Sequence, residues 1–352
     1  MRFVSDCGKK KQGWRSIARN VSIGFAWLLV ALFQTWSVAA LSFDVKRGGP
    51  RLLAVSGFIL ITSAAFIFIS RYSVRSIASA TCCFIVLFWW LSLRPSNEGN
   101  WQPDVSRLAS AEVNGDSVVI HNVRNCRYRT EFDYTCQWET RSYDLASLRG
   151  IDAYFVNWGS PWIAHTMISF DFGNDQYVTF SIETRKKIGQ SYSAVRGFFR
   201  QYEIIYIVSD ERDVVRLRTN YRVGEEVYLY HLKTSPDRAR ARFLEYVGRI
   251  NDLYQHPEWY NALTKNCTTS FFAQRDSSHA DDRKISWLDW QILLNGKLDE
   301  KAYREGAFVG DLPFETLKSR AHINEAARAL GDDPEFSRRI REGRPGFNEA
   351  RD

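Results

Sequence analysis

Hydrophobic positions fall into two regimes along this chain. Residues 21–43, 52–70 and 76–93 are unbroken apolar runs of roughly the 17–25 residues that a membrane-spanning helix needs. They contain no charged side chain, and Gln34 is the most polar one. A core helix of a soluble domain would carry a polar face, and these carry none. Past residue 94 the pattern changes to short alternating segments at 117–121, 127–138, 151–158, 166–172, 176–183, 202–209, 213–219 and 226–232, each read as a strand. Ser235-Pro236 then reads as an N-cap followed by proline at the first helical position. Phe243, Leu244, Val247, Ile250, Leu253 and Tyr254 form one apolar stripe behind it. Shorter helical pieces are expected near 287–294, 313–320 and 323–330, and the Arg-rich 337–344 reads as a solvated tail. The expected fold is α+β: three N-terminal transmembrane helices, then an antiparallel sheet with helices packed on it. The boundaries read are a basic N-terminus 1–20, an anchor 21–94, a linker 95–110, a globular domain 111–345 and a tail 346–352.

Charge sharpens this division. The whole chain carries +7, but residues 1–94 hold 12 Lys/Arg against 2 Asp/Glu, leaving 35 against 38 for the other 258 residues. The basicity belongs to the membrane part, so nucleic-acid binding by the globular part loses its support. Arg2, Lys9, Lys10, Lys11, Arg15, Arg19, Arg71 and Arg75 flank one side of the spans, against Lys46, Arg47, Arg51 and Arg94 on the other. That asymmetry places the N-terminus in the cytoplasm and residues 95–352 outside it. Ser37-Val-Ala-Ala40 loosely resembles a signal-peptide cleavage site, and cleavage there would leave the globular part on the same side. The expectation is a multi-pass protein of a bacterial inner membrane with a periplasmic C-terminal domain. The spans lack acids and bases, which argues against transport or proton relay.

Candidate chemistry centres on three residues. Cys267 follows Asn266 where a short helical run could begin, with Asn266 as N-cap and the thiol in the first turn, a setting that favours the thiolate. His165 stands at the mouth of one strand, and Gly173-Asn174-Asp175 is a turn signal leading into the next. A three-residue loop there makes paired residue numbers sum to 348, which sets Glu183 opposite His165 on a shared face. A carboxylate so placed can hold one imidazole nitrogen and leave the other as a base. Structural roles compete: Glu183 could pair with Arg185, Cys267 could be a buried hydrophobe, and Asn266-Cys267-Thr268 matches a glycosylation sequon. Cys126 and Cys136 lie on one hairpin, where an oxidising compartment could join them; two separate thiols are the alternative. No metal-ligand spacing, Walker loop, dinucleotide fingerprint or Gly-x-Ser-x-Gly occurs, so neither metal nor cofactor is expected.

Three blocks carry a family resemblance: Trp158-Gly-Ser-Pro-Trp162-Ile-Ala-His165-Thr, Phe180-Ser-Ile-Glu183-Thr-Arg185-Lys-Lys, and Tyr260-Asn-Ala-Leu-Thr-Lys-Asn266-Cys267-Thr-Thr. Over roughly residues 100–345 the chain resembles the Lnb N-terminal periplasmic domain family, itself similar to circularly permuted, NlpC-type papain-like proteins. The resemblance implies a papain-like domain with Cys267 as nucleophile, His165 as base and Glu183 as the group orienting it, Asp171 being the alternative for that last role. It implies an extracytoplasmic cysteine hydrolase or acyltransferase acting on an amide, ester or thioester. The substrates considered are a phospholipid, a lipoprotein acyl group and a cell-wall peptide. Arg185, Trp158, Trp162 and Asn266 are the expected substrate contacts, with Arg185 weighed also as a structural ion-pair residue. The alternative function is a non-catalytic envelope protein that uses the same frame to bind lipid or a protein partner.

Overall fold

The computed structural model describes residues 4–159, 164–265 and 297–347, with backbone alone for 4–19. The chain divides into two units, Met1–Arg94 with Phe199–Gln201, and Pro95–Phe198 with Tyr202–Asp352.

The first unit contains α1 (Val4–Asp44), α2 (Gly49–Phe68) and α3 (Tyr72–Ser92). Three stretches, Asn20–Asp44, Gly49–Phe68 and Tyr72–Ser92, are long and apolar enough to cross a membrane. Gly48 at φ 101° breaks the chain between α1 and α2, and Pro50 opens α2 in the first turn, where no N–H partner is needed. Ser37, Ala40, Ser79 and Cys83 are fully buried. Small residues at such positions let helix backbones approach closely. Leu52, Leu53, Ile67 and Phe68 point outward, more than 70% exposed, as a lipid-facing surface would. Hydroxyls inside the helices donate to their own backbone, as Ser37 Oγ does to the Phe33 carbonyl at 2.8 Å.

The second unit is built on eight strands: β1 (Ser110–Asn114), β2 (Ser117–Tyr128), β3 (Tyr134–Asp144), β4 (Gly150–Asn157), β5 (Ala164–Asp171), β6 (Tyr177–Arg185), β7 (Glu203–Ser209) and β8 (Glu226–His231). They lie in the order β1-β2-β7-β6-β5-β4-β8, with β3 pairing the other way onto β2. All pairings are antiparallel except β2 with β7, which touch in parallel at Arg124 and Ser209. The described helices are α4 (Glu211–Arg216), α5 (Pro236–Gln255), α6 (Leu298–Arg304), α7 (Phe314–Ala321), α8 (Asn324–Leu330) and α9 (Phe336–Arg339). The fold is thus mixed α+β, three apolar helices followed by a sheet domain with helices.

Ser235 caps α5 by accepting from the Arg238 N–H, as the Ser-Pro signal implies. Of the expected α5 stripe, Phe243, Val247, Ile250 and Leu253 pack with Tyr246, Phe170, Phe180 and Tyr206 in the larger core, Leu244 is partly buried against it and Tyr254 is exposed. The opposite sheet face buries Tyr154 and Met167 against Val214 of α4 and against Ile323, Ala327 and Phe336. With both faces covered, every residue of β5 is buried. The β5–β6 register runs from Met167 opposite Ser181 to Asp171 opposite Tyr177, each pair summing to 348 as expected. Gly173, Asn174 and Asp175 make the turn with φ of 75°, 49° and 59°, a left-handed path that glycine, asparagine and aspartate adopt most cheaply.

Three expectations from the pattern are corrected. Residues 213–219 are not a strand but α4 followed by one π-helical turn, Leu217–Tyr221. Asp210 caps α4 through its side chain, and the Asp213 carboxylate accepts two bonds from the fully buried Arg124 guanidinium at 2.8 and 2.9 Å. That long-range pair overrides a β-like alternation. The segments at 117–121 and 127–138 belong to two longer strands, β2 being continuous through a bulge where Asn122 takes φ 60°. Residues 337–344 are no solvated tail. Arg341 is 5% exposed and bonds Asp152 and Glu211 in the core, while Arg344 donates to the carbonyls of Arg320 and His322.

Candidate active site

The hairpin β5–β6 sets His165 and Glu183 at one end of the sheet, on one cleft of about 500 Å³. They do not touch directly. His165 Nε2 lies 2.8 Å from Ser181 Oγ, and that hydroxyl donates to Glu183 Oε1, also at 2.8 Å. Since the single hydroxyl proton goes to the carboxylate, Ser181 accepts from the imidazole, which places the ring proton on Nε2. Nδ1 then carries the lone pair. Among the described residues it has no hydrogen-bond partner. Ser181 sits two positions before Glu183, on the same face of β6 by the strand's period of two.

Glu183 takes a second bond at the same Oε1. Arg218, 2% exposed, donates to Glu183 Oε1 and to Glu225 Oε2, each at 3.1 Å. Arg222 donates to Glu225 Oε1 at 3.2 Å and approaches Glu131 to 3.4 Å. Burial favours the neutral carboxyl at Glu183, but the Arg218 guanidinium, with Arg124 and Arg222 farther off, outweighs it and holds the pKa well below the usual carboxylate range. Burial and then Arg218 push His165 well below the usual imidazole range, against the opposing pull of Glu183. Neutral imidazole beside an ionised, braced carboxylate is the result.

Trp158, 37% exposed, lies nearly parallel to the His165 ring, centroids 6.3 Å apart at 18°. The far wall is the β2–β3 hairpin, with Tyr128, Glu131, Phe132 and Tyr134 lining the cleft. Cys126 and Cys136 are directly opposed in that hairpin and joined as a disulfide, which ties the wall at its base. Tyr134 donates to Asp104 Oδ1 at 3.1 Å, and burial with that carboxylate raises its phenol to about 12.

Other candidates are placed differently. Arg185 is not among the described residues that line the cleft. Its guanidinium donates to the carbonyls of Val105 at 3.0 Å and Ser106 at 2.9 Å and lies over the Trp101 ring at 4.3 Å. It bonds carbonyls and not Glu183, and burial lowers its pKa to about 10. Asp171 is excluded as an orienting group. It ends β5 six residues from His165, about 20 Å along a strand, and accepts from the Gly173 N–H in the turn at 2.8 Å. Cys267, Asn266 and Trp162 lie outside the described residues. Ser181, Arg218, Arg222 and Glu225 were not singled out from the sequence. Arg218 lies in the stretch read as a strand, whereas Arg222 and Glu225 lie just beyond the π-helical turn, before β8. No group of three His, Cys, Asp or Glu that could hold a metal ion occurs among the described residues.

The comparisons bear on this same stretch. Residues 134–296 match the Lnb N-terminal periplasmic domain. The Lnb match begins at β3 and runs past Cys267, so it takes in Trp158, His165, Ser181, Glu183, Arg218 and the cysteine together. No curated protein and no solved structure matches the chain. With three apolar helices ahead of a region that matches the Lnb periplasmic domain, this is a membrane-anchored protein with an extracytoplasmic domain.

Proposed function

We propose that the Lnb domain is a papain-like, cysteine-dependent hydrolase or acyltransferase. In this reading His165 Nδ1 takes the Cys267 proton as the thiolate adds to an amide, ester or thioester carbonyl. The imidazolium then protonates the departing group as a Cys267 thioester forms. Water or an amine, deprotonated by the same nitrogen, releases the acyl group and restores the thiol. Ser181 and Glu183 hold the ring in the Nε2–H tautomer throughout. The backbone N–H of Cys267 contributes to the oxyanion site, and Trp158, Trp162 and Asn266 contact substrate. One observation carries this reading: His165 is held through Nε2 by a relay, while Nδ1 has no partner among the described residues in a cleft roomy enough for substrate.

The same reading places all three helices across a bacterial inner membrane, with the N-terminus cytoplasmic and the cleft periplasmic. A site anchored at the bilayer with Trp158 over its base favours a lipid or lipoprotein acyl group over a soluble cell-wall peptide. The test is complementation of a deletion strain, with lipidomic and lipoprotein mass spectrometry as readout. Cys267→Ala and His165→Gln are expected to leave the deletion's lipid or lipoprotein profile unchanged, whereas wild type restores it. Full restoration by Cys267→Ala would remove the enzymatic reading and make the cleft a binding site for lipid or a protein partner.

A further inference from the structure

Between β6 and β7 the chain runs through residues 186–198 with an unusual surface. Ile188, Tyr192, Val195 and Phe198 are 59, 44, 58 and 42% exposed, four exposed large apolar side chains within eleven residues. The backbone beneath them is held in place. Ile188 N–H donates to the Asn100 carbonyl at 2.8 Å, and the Gly197 carbonyl accepts from Ala262 N–H at 2.9 Å. Gly197 is packed so closely that an added Cβ would lie 3.2 Å from Ala262 and 3.3 Å from the Tyr260 ring. The apolar side chains therefore face outward from an anchored backbone.

Charge and connectivity indicate what covers them. Lys186, Lys187 and Arg196 are the only charged residues in 186–198, a local +3 in a domain with more acids than bases. The next residues, Phe199–Gln201, belong to the helical unit, where Phe199 packs on Phe43 of α1 with centroids 4.9 Å apart. Phe198 directly precedes Phe199 in the chain. Outward aromatic and aliphatic side chains interleaved with bases, and no acids, match the headgroup–acyl boundary of an anionic bilayer.

We propose that residues 186–198 form a membrane-interfacial segment, inserting Ile188, Val195 and Phe198 into the anionic periplasmic leaflet. Lys186, Gln190 and Tyr192 also line the His165 cleft. Resting on the acyl-chemistry reading above, the segment makes the rim of that cleft part of the bilayer surface, so acyl substrate enters from the membrane plane.

The test uses the full chain with Cys7, Cys82, Cys83 and Cys267 changed to Ser. It is reconstituted in vesicles of phosphatidylethanolamine and phosphatidylglycerol, with or without brominated acyl chains. An environment-sensitive fluorophore is attached at Ile188→Cys or Val195→Cys, and at Gln176→Cys as reference. Gln176 is exposed just before the opposite end of β6, about 30 Å along the strand from Lys186. The expected result is blue-shifted emission and bromine quenching at 188 or 195 beyond that at 176. Labels at both sites as wet and as unquenched as the one at 176 would overturn the proposal. This readout needs no activity, so it stands or falls separately from the catalytic reading.

Discussion

Two histidine–carboxylate clusters occupy this sheet, and the better-formed pair is the less suited to chemistry. His231 Nδ1 lies 2.6 Å from Asp152, a direct contact, whereas His165 reaches Glu183 only through Ser181. Yet Asp152 is fully buried and also accepts from Arg341, whose guanidinium goes on to Glu211, itself bonded by Tyr154 at 2.8 Å. Burial alone would raise the Asp152 carboxyl, but Arg341 and His231 hold it below its usual range. That network closes the core around the C-terminal segment. The His165 cluster has the same ingredients, but it borders a cleft and leaves one ring nitrogen without a partner among the described residues. A short His–carboxylate distance therefore does not identify a site; the cleft that His165 lines is what sets it apart.

The comparison can be broken at several points. Arg341→Met leaves Asp152 and Glu211 buried without their cation, and is expected to cost about 3–5 kcal/mol, read as a lower urea midpoint in detergent. His231→Gln should lower stability while leaving thiol reactivity at Cys267 unchanged. Reducing the Cys126–Cys136 disulfide releases a short loop worth about 2–3 kcal/mol in the chain-entropy treatment, and loosens one wall of the cleft. Thermal midpoints with and without reductant measure it. Ser181→Ala severs the relay without touching Arg218. Losing a hydrogen bond in a charged network costs about 1.5–3 kcal/mol. The turnover of the proposed reaction should fall about 10–100-fold, and stability should fall by up to the same free energy because the bond is present in the resting fold. An unaltered rate would make Ser181 a bystander.

The smallest effect is on pH dependence. The folded pKa of His165 is below its unfolded value of about 6.5, so the unfolded chain binds the extra proton first. Stability is then fully present above about pH 6.5 and declines as pH falls below it. Glu183 acts in the same direction lower down. Its folded pKa is depressed below the unfolded value of about 4.3, so its contribution fades as pH falls through that value and beyond. Thermal midpoints of wild type and His165→Gln, compared from pH 7 downward, should show a shallower decline below about pH 6.5 in the variant. Parallel curves would mean that His165 is not held neutral.

Local signals were readable and distant ones were not. The β5–β6 register followed from a period-two pattern and a Gly-Asn-Asp turn, both confined to a stretch of twenty residues, so His165 and Glu183 could be brought to one end of one hairpin. Ser181 was missed because alternation says which side chains share a face, not which of two neighbours an imidazole selects. Arg218 was missed because α4 and the π-turn depend on Asp213 meeting Arg124, a contact 89 residues apart. Arg341 read as a tail residue because its neighbours are Arg-rich; its burial is set by Asp152 and Glu211, far away in sequence. The membrane helices needed none of this, since length and composition alone define a span.

The central claim, that His165 serves Cys267, is tested most directly by labelling the detergent-solubilised full chain with an electrophilic acyl probe and mapping the adduct by mass spectrometry. The account predicts rapid modification of Cys267 that is lost in His165→Gln and retained in His231→Gln. Modification at Cys267 that proceeds equally fast without His165, or none at all in the wild type, would contradict it.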